Sequence, residues 1–409
     1  MLSKIFRRVG SVALGTGLGQ GLVVLATPYL ARRYAPADFG ALALLLTVSN
    51  ISLTVACLRY DIALPSSKSE DVRALLVLST LVAGALGVVG VVLTLGLAAT
   101  PALETPAGVL LRHPWLLGAC VAIVGCYQAT SAWLLRRGAY GAFAAMRVSQ
   151  GGGFSLLAAL PGLGLLWAHV ASFAAGLIGA VQVLRRRGAH EARWTEVSQR
   201  YREFPLLNLP GAVLDVVGYS ICIWVVASHY GRGSAGEYSQ VQRLIGAPLM
   251  LISISLGQIL LKHTAELAHD PAQLHALLAR LLRVLVLLSG AALIILWFVG
   301  KPVLSLILGP KWNISREMVL LLGVAVFVRA CVSPLSTALL TLRRFRLTLA
   351  WQAAYFCSAA LIMPLVAARA EFRDYLRFYA VHEIAFYGAY LYLIFFAVRA
   401  HTCAESLGS

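Results

Sequence analysis

Charge is scarce in this chain. Only 12% of its 409 residues are Asp, Glu, Lys or Arg, whereas 59% are hydrophobic. A water-soluble domain carries about twice that charged share, so the soluble globular class is excluded. Acids are scarcer than bases: 17 Asp and Glu face 34 Lys and Arg, a formal net charge of +17. The cations lie in short loops between apolar runs, which excludes a nucleic-acid partner and suits a membrane surface with anionic headgroups. Paired cysteines are missing too. Cys57, Cys120, Cys126, Cys222, Cys331 and Cys357 lie in apolar runs, with no C-x-x-C and no Cys/His cluster at ligand spacing. No metal site follows from them, and they read as small apolar core residues. The chain also lacks a nucleophile elbow, a phosphate loop and a paired acidic motif for a sugar-nucleotide metal, so no enzyme constellation emerges. Gly15-x-Gly17-x-Gly19 has no strand before it and is no nucleotide site.

Long apolar runs are what the chain has in quantity, at a mean hydropathy of +0.80. They predict an all-α membrane protein with about 12 transmembrane helices of roughly 20 residues each. Their centres fall near Leu22, Leu53, Leu86, Val124, Gly151, Phe173, Gly218, Met250, Leu287, Gly323, Ala359 and Tyr390. The first run, Ser11 to Leu30, has signal-peptide flanks but spanning length, and is kept as a helix. Lys and Arg set the orientation. With both termini cytoplasmic, Lys4, Arg7, Arg8, Arg136, Arg137, Arg185 to Arg187, Arg193, Lys262, Arg343 and Arg344 lie inside, as the positive-inside rule demands. The longest loop, Leu184 to Glu203, is Arg-rich and sits at the midpoint. Residues 1–184 then form an N-terminal six-helix bundle, 185–203 a basic cytoplasmic linker, and 204–409 a C-terminal six-helix bundle.

The two halves echo each other. Ala37-Asp38-Phe39-Gly40 enters the second span, and Ala235-Gly236-Glu237-Tyr238-Ser239 enters the eighth. Leu135-Arg136-Arg137 and Leu342-Arg343-Arg344 likewise match, both at an offset of about 200 residues, as expected of parallel repeats about an axis along the membrane normal.

Against this background the intramembrane charges stand out. Arg147, Arg243 and Arg329 lie inside spans, and Arg59 lies near the end of span two beside Asp61. Each costs about 2.5–3.5 kcal/mol or more in lipid, which points to a bundle interior or wet cavity. One reading is structural pairing; the other is a cationic lumen whose guanidiniums meet phosphate oxygens bidentately. The buried acids are Asp215 and Glu383, the latter beside His382. Each is either an ion-coupling carboxylate or a counter-ion to a lumen arginine. His169 reads as a hydrogen-bonded helix residue.

Tyr34-Ala35-Pro36-Ala37-Asp38-Phe39-Gly40, Leu58-Arg59-Tyr60-Asp61-Ile62-Ala63-Leu64-Pro65, Phe204-Pro205, the Gly236-Glu237-Tyr238 turn, Arg243-Leu244-Ile245-Gly246-Ala247-Pro248 and Gln258 together resemble the bacterial polysaccharide, or O-antigen, flippases. That family belongs to the multidrug/oligosaccharidyl-lipid/polysaccharide exporter superfamily. The resemblance implies two six-helix bundles related by a pseudo-two-fold axis, V-shaped around a central cationic cavity. It implies a bacterial cytoplasmic (inner) membrane location and an undecaprenyl-pyrophosphate-linked oligosaccharide as substrate. Alternating access would move the glycan outward, coupled to H⁺ or Na⁺ and without a cofactor, with polysaccharide polymerase and chain-length proteins as partners. Arg59 and Arg243 match recurrent motif positions; Arg147 and Arg329 rest on the charge argument alone. Two alternatives stand beside it. A drug or small-cation exporter of the same superfamily requires an acid-rich lumen. A membrane glycan polymerase or ligase requires extracytoplasmic catalytic charges, for which Arg369, Glu371, Arg373 and Asp374 form the one candidate loop.

Overall fold

Lipid offers no hydrogen bonds to the backbone, so a chain of apolar runs must satisfy its peptide groups within each run. The computed structural model follows that rule: helices account for all regular structure among the described residues, which are 2–184, 194–267, 270–342 and 344–406. The expected cytoplasmic cations Arg185 to Arg187, Arg193 and Arg343 lie outside them, as do the side chains of Lys4, Arg7, Arg8, Pro248, Gln258 and Lys262. The chain divides into two compact units, Met1–Gly236 and Glu237–Ser409.

The first unit contains α1 (Leu2–Arg33), α2 (Pro36–Val55), α3 (Val72–Ala98), α4 (Pro114–Arg136), α5 (Tyr140–Ala159) and α6 (Gly164–Leu184). Proline starts α2 and α4, where its missing N–H costs no helical bond. Asp38 Oδ2 accepts from Ala35 N at 2.9 Å, so Ala-Pro-Ala-Asp is a helix start written into the sequence. Leu44, Leu45, Leu75, Leu116, Val124, Tyr127 and Met146 are buried. Large apolar residues also face outward, with Leu25 78% and Leu156 73% exposed, as befits a surface covered by acyl chains.

Helices α1 and α5 approach along glycine. A Cβ on Gly151 would strike the Gly19 backbone, and one on Gly15 would strike Ala144. Small residues at such crossings allow backbone contact between helices. Replacing Gly151 by valine forces the pair apart at a cost of about 1–3 kcal/mol. We expect it to lower the thermal midpoint of the detergent-purified protein. Gly21→Ala, at a position whose Cβ meets nothing within 4 Å, is expected to leave that midpoint unchanged.

A 58-residue helix, α7 (Leu209–Glu266), follows and is broken at Gly231, where φ is 84° and ψ 166°. Its first limb packs on α2, where Trp224 Nε1 donates to Thr47 Oγ1 at 2.8 Å. Just past the break, backbone meets backbone: a Cβ at Gly40 would hit the Arg232 carbonyl, and one at Gly236 the Pro36 carbonyl.

The second unit contains the remainder of α7 with α8 (Pro271–Ile295), α9 (Arg316–Val332), α10 (Phe345–Ala367) and α11 (Phe372–Ser406). Asp270 and Ser315 cap α8 and α9 through bonds from Gln273 N and Met318 N, each 3.0 Å. Leu274, Leu278, Leu335, Leu339, Trp351 and Ile394 are buried in one core cluster. Trp351 stacks on Tyr390 with ring centroids 4.1 Å apart.

Nine segments among the described residues are long and apolar enough to cross a membrane. The sequence leads one to expect about 12. The kinked α7 is counted once, α6 counts as a shorter apolar helix, and α5, bearing Arg147 and Gly151 to Gly153, is not among them. All the expected span centres nevertheless fall in helices. The molecule is thus an all-α, multi-spanning membrane protein.

Candidate functional site

Two of the four expected cations lie in each unit: Arg59 and Arg147 in the first, Arg243 and Arg329 in the second. Their surroundings differ sharply.

Arg59 sits where α2 ends. Leu58 (φ 46°) and Arg59 (φ 65°) are the only non-glycine residues with left-handed backbone among the described residues. Such a conformation costs about 1–3 kcal/mol per residue and persists where surrounding packing imposes it. The break turns the chain into the short helix Tyr60–Ala63 and tucks Asp61 inside, 1% exposed. The expected partner of Asp61 is Arg59, but the hydrogen bond to its Oδ2 comes from Gln128 Nε2 on α4, at 3.0 Å. Asp61 Oδ1 and Arg59 Nε are both buried without a hydrogen-bond partner. Burial pushes the Asp61 carboxyl up from its usual range, and the Gln128 bond and the Arg59 charge only partly offset this. The folded protein therefore holds this proton more tightly than the unfolded chain does. The associated relative stability is present at low pH and is lost as pH rises through the folded-state value. Burial also lowers the Arg59 guanidinium, against the charges of Asp61 and Asp215. Asp215, expected from the sequence to be a buried acid, is instead exposed on the first limb of α7.

Arg147 lies on α5 between two rings, its guanidinium carbon 5.2 Å from the Tyr127 centroid and 5.1 Å from that of Phe143. This cation–π cradle is worth about 0.5–2 kcal/mol and leaves the charge in place. Nearby, His169 exchanges a 2.8 Å hydrogen bond with Ser49 Oγ, the bonded helix residue the sequence suggested. Arg243, on α7 in the second unit, is partly buried. Among the described residues no carboxylate oxygen lies within 4.0 Å of Arg147 or Arg243.

Glu383, read from the sequence as either an ion-coupling carboxylate or a counter-ion to a lumen arginine, pairs with Arg329. Arg329 Nη2 donates to Glu383 Oε2 at 2.9 Å and to the Tyr355 hydroxyl at 3.2 Å, while Tyr355 OH donates to Glu383 Oε1 at 2.6 Å. Glu383 is fully buried. Beside this triad His382 Nε2 shares a 2.9 Å bond with Ser358 Oγ. Two residues of the charged loop considered for an enzyme are paired: Arg373 with Glu317, and Asp374 with Arg377 at 2.9 Å, Arg377 also binding Glu317.

Sequence reasoning missed a clamp on the linker. The short helix Trp194–Arg200 docks on the first unit. Arg200 Nη1 lies 2.7 Å from both oxygens of the fully buried Asp71. Tyr201 OH donates to the same carboxylate at 3.0 Å, and Tyr60 OH reaches Ser198 O at 3.4 Å. The hydrogen bonds with Asp71 hold the Arg200 guanidinium above its ordinary value. An Asp, an Arg and a Tyr 129 and 130 positions apart carry no local signal.

Residues 29–317 match the family described as "Polysaccharide biosynthesis protein". The succinoglycan biosynthesis transport protein ExoT of Rhizobium meliloti (strain 1021) is 22% identical over 346 residues, covering 81% of this chain and 68% of that protein. Among solved structures, an inward-facing multidrug resistance MATE family transporter of the MOP superfamily superposes with a TM-score of 0.72. It is 12% identical, over 94% of this chain and 95% of its own. An outward-facing MATE family transporter gives 0.63 at 12% identity, over 97% and 96% of the two chains. A MOP superfamily transporter from Pyrococcus furiosus, described by a binding pocket of reverse polarity that suggests a different function, gives 0.62 at 11%, also over 97% and 96%. At these identities the likeness is one of fold alone.

Proposed function

Because this chain belongs to the polysaccharide biosynthesis protein family, we propose that it is a flippase for undecaprenyl-pyrophosphate-linked oligosaccharide. It moves repeat units from the cytoplasmic to the outer leaflet of a bacterial inner membrane by alternating access. In this reading twelve helices form two six-helix bundles, V-shaped around a central cavity and joined by the basic linker 185–203. The prenyl tail stays in lipid while the diphosphate and sugars take a wet path.

The observation that carries it is the charge left over inside the spans. Arg147 and Arg243 have no carboxylate within 4.0 Å among the described residues. A diphosphate cannot enter hydrocarbon unshielded, and guanidinium offers it a permanent charge and a bidentate fork. A few separated cations lower that barrier without trapping the cargo. Arg59 is the third contact in this scheme. Arg329 is a weaker candidate, since Glu383 already neutralises it, and Asp215 is the better coupling acid of the two first considered.

Export of a drug or small cation is the second reading, favoured by the multidrug transporters among the solved structures of similar fold. It requires acids free to bind a cation, and Glu383 is held by Arg329 and Tyr355. One experiment separates the two. In proteoliposomes holding a defined lipid-pyrophosphate oligosaccharide, we expect the protein to expose inner-leaflet glycan to an external, impermeant glycosidase. Exposure no faster than in protein-free vesicles, together with efflux of a cationic dye, would favour the drug exporter.

A further inference from the structure

We propose that Asp61 is a proton-binding group of the Met1–Gly236 unit, in addition to any role of Asp215, and that its protonation releases Arg59 to engage an anion. The second half rests on the reading that Arg59 meets an anionic cargo group. Among the described residues, Asp61 Oδ1 is the one carboxylate oxygen buried without a hydrogen-bond partner. A buried carboxylate normally collects several donors; this one has one full hydrogen bond, from Gln128 Nε2 to Oδ2, while the Asp61 and Ile62 backbone N–H groups add a weaker pull and leave Oδ1 without a bonded partner. A proton from solvent placed on Oδ1 removes the undersolvated charge and leaves the Gln128 bond intact.

The charged neighbourhood is sparse. The Tyr60–Ala63 turn packs against α3, α4 and the helical segment Phe204–Asn208. Phe204–Asn208 brings no titratable group, and α3 brings only Arg73, in its first turn. Helix α4 brings Cys120, Cys126, Tyr127 and Arg136, the last bound to Ser67 O at 2.8 Å. On the turn's own side stand Cys57, whose thiol donates to Gly125 O at 3.2 Å, and Arg59. Asp215 acts on Arg59 from α7. Of these, Arg59 alone supplies Asp61 with an opposing charge.

No ion pair within 4.0 Å joins Arg59 to Asp61 among the described residues, so the two are coupled by charge through space. A charged Asp61 draws the guanidinium inward; a neutral one leaves it for another anion. Reciprocity requires that an anion on Arg59 favour the protonated acid by the same factor. Anion binding then takes up a proton and tightens as pH falls, by at most about tenfold per pH unit for one linked proton. The left-handed Leu58–Arg59 backbone fixes the pair at the end of α2, so the exchange needs only side-chain movement.

Sulfate is the probe, because its charge stays constant across the mildly acidic range. We expect calorimetric titration of the full-length protein, in two buffers of different protonation enthalpy, to show proton uptake with sulfate binding. Asp61→Asn is expected to bind sulfate with neither uptake nor pH dependence, and Asp61→Glu to retain both. No uptake in the parent protein, or equal uptake in Asp61→Asn, overturns the proposal. Independently, the infrared carboxylic-acid band of the sulfate-free protein, minus that of Asp61→Asn, should appear on mild acidification. Gln128→Met, which removes the donor and keeps the acid, should shift that band to higher pH. An absent band overturns the proton site itself. A titrating band without sulfate binding overturns the release of Arg59 and the anion reading, and supports the proton site.

Discussion

If the proposed function holds, replacing Arg243 by alanine is expected to abolish translocation of the lipid-linked oligosaccharide while the protein still inserts and folds. Arg243 is partly buried on α7 with no carboxylate within 4.0 Å among the described residues, so its removal orphans no acid among them. On the proposed function, what is lost is a charge-assisted contact to the diphosphate. Truncating one partner of such a contact costs about 2–5 kcal/mol, and even the lower figure is about 30-fold in rate or affinity. Arg243→Lys should fall between, since it keeps the charge and loses the planar fork. The proteoliposome assay gives the rate, and gel filtration of the same preparation gives the folded fraction. Parent-level translocation in the alanine variant would remove Arg243 from the path.

Glu383→Ala should act on stability first. It leaves the Arg329 guanidinium at the edge of the core, hydrogen-bonded to Tyr355 but without its counter-ion. Breaking a buried pair from one side costs about 3–5 kcal/mol, whereas replacing both members with apolar groups of similar volume is often neutral or stabilising. The expected order of thermal midpoints in detergent is therefore Glu383→Ala lowest, with the double variant Arg329→Met, Glu383→Leu close to the parent. The double variant also decides between a strut and a coupling acid. If it folds and transports with an unaltered pH dependence, the pair is structural. Loss of that dependence in a well-folded double variant would return Glu383 to ion coupling.

The architecture was legible because hydropathy is local. Each expected span centre falls within a helix, and Pro36 with Asp38 announces the start of α2. His169 too was legible, since a lone histidine on an apolar helix needs a partner and finds Ser49. Pairings were not. Arg329 and Glu383 are 54 positions apart, and Gln128 is 67 from Asp61; only the packing of α9 with α11, and of α4 with the Tyr60–Ala63 turn, unites them. The left-handed turn at Leu58–Arg59 had no marker either, because neither residue is one that favours that conformation.

The contact of Gly40 with Arg232 and of Gly236 with Pro36 leaves no side chain between the first turn of α2 and the strip beyond the Gly231 break. Two rods touching at bare peptide have nothing to interdigitate and no room to slide. A methyl group added at Gly40 would meet the Arg232 carbonyl and force the two backbones apart, so the close seating of that strip is lost with a single carbon.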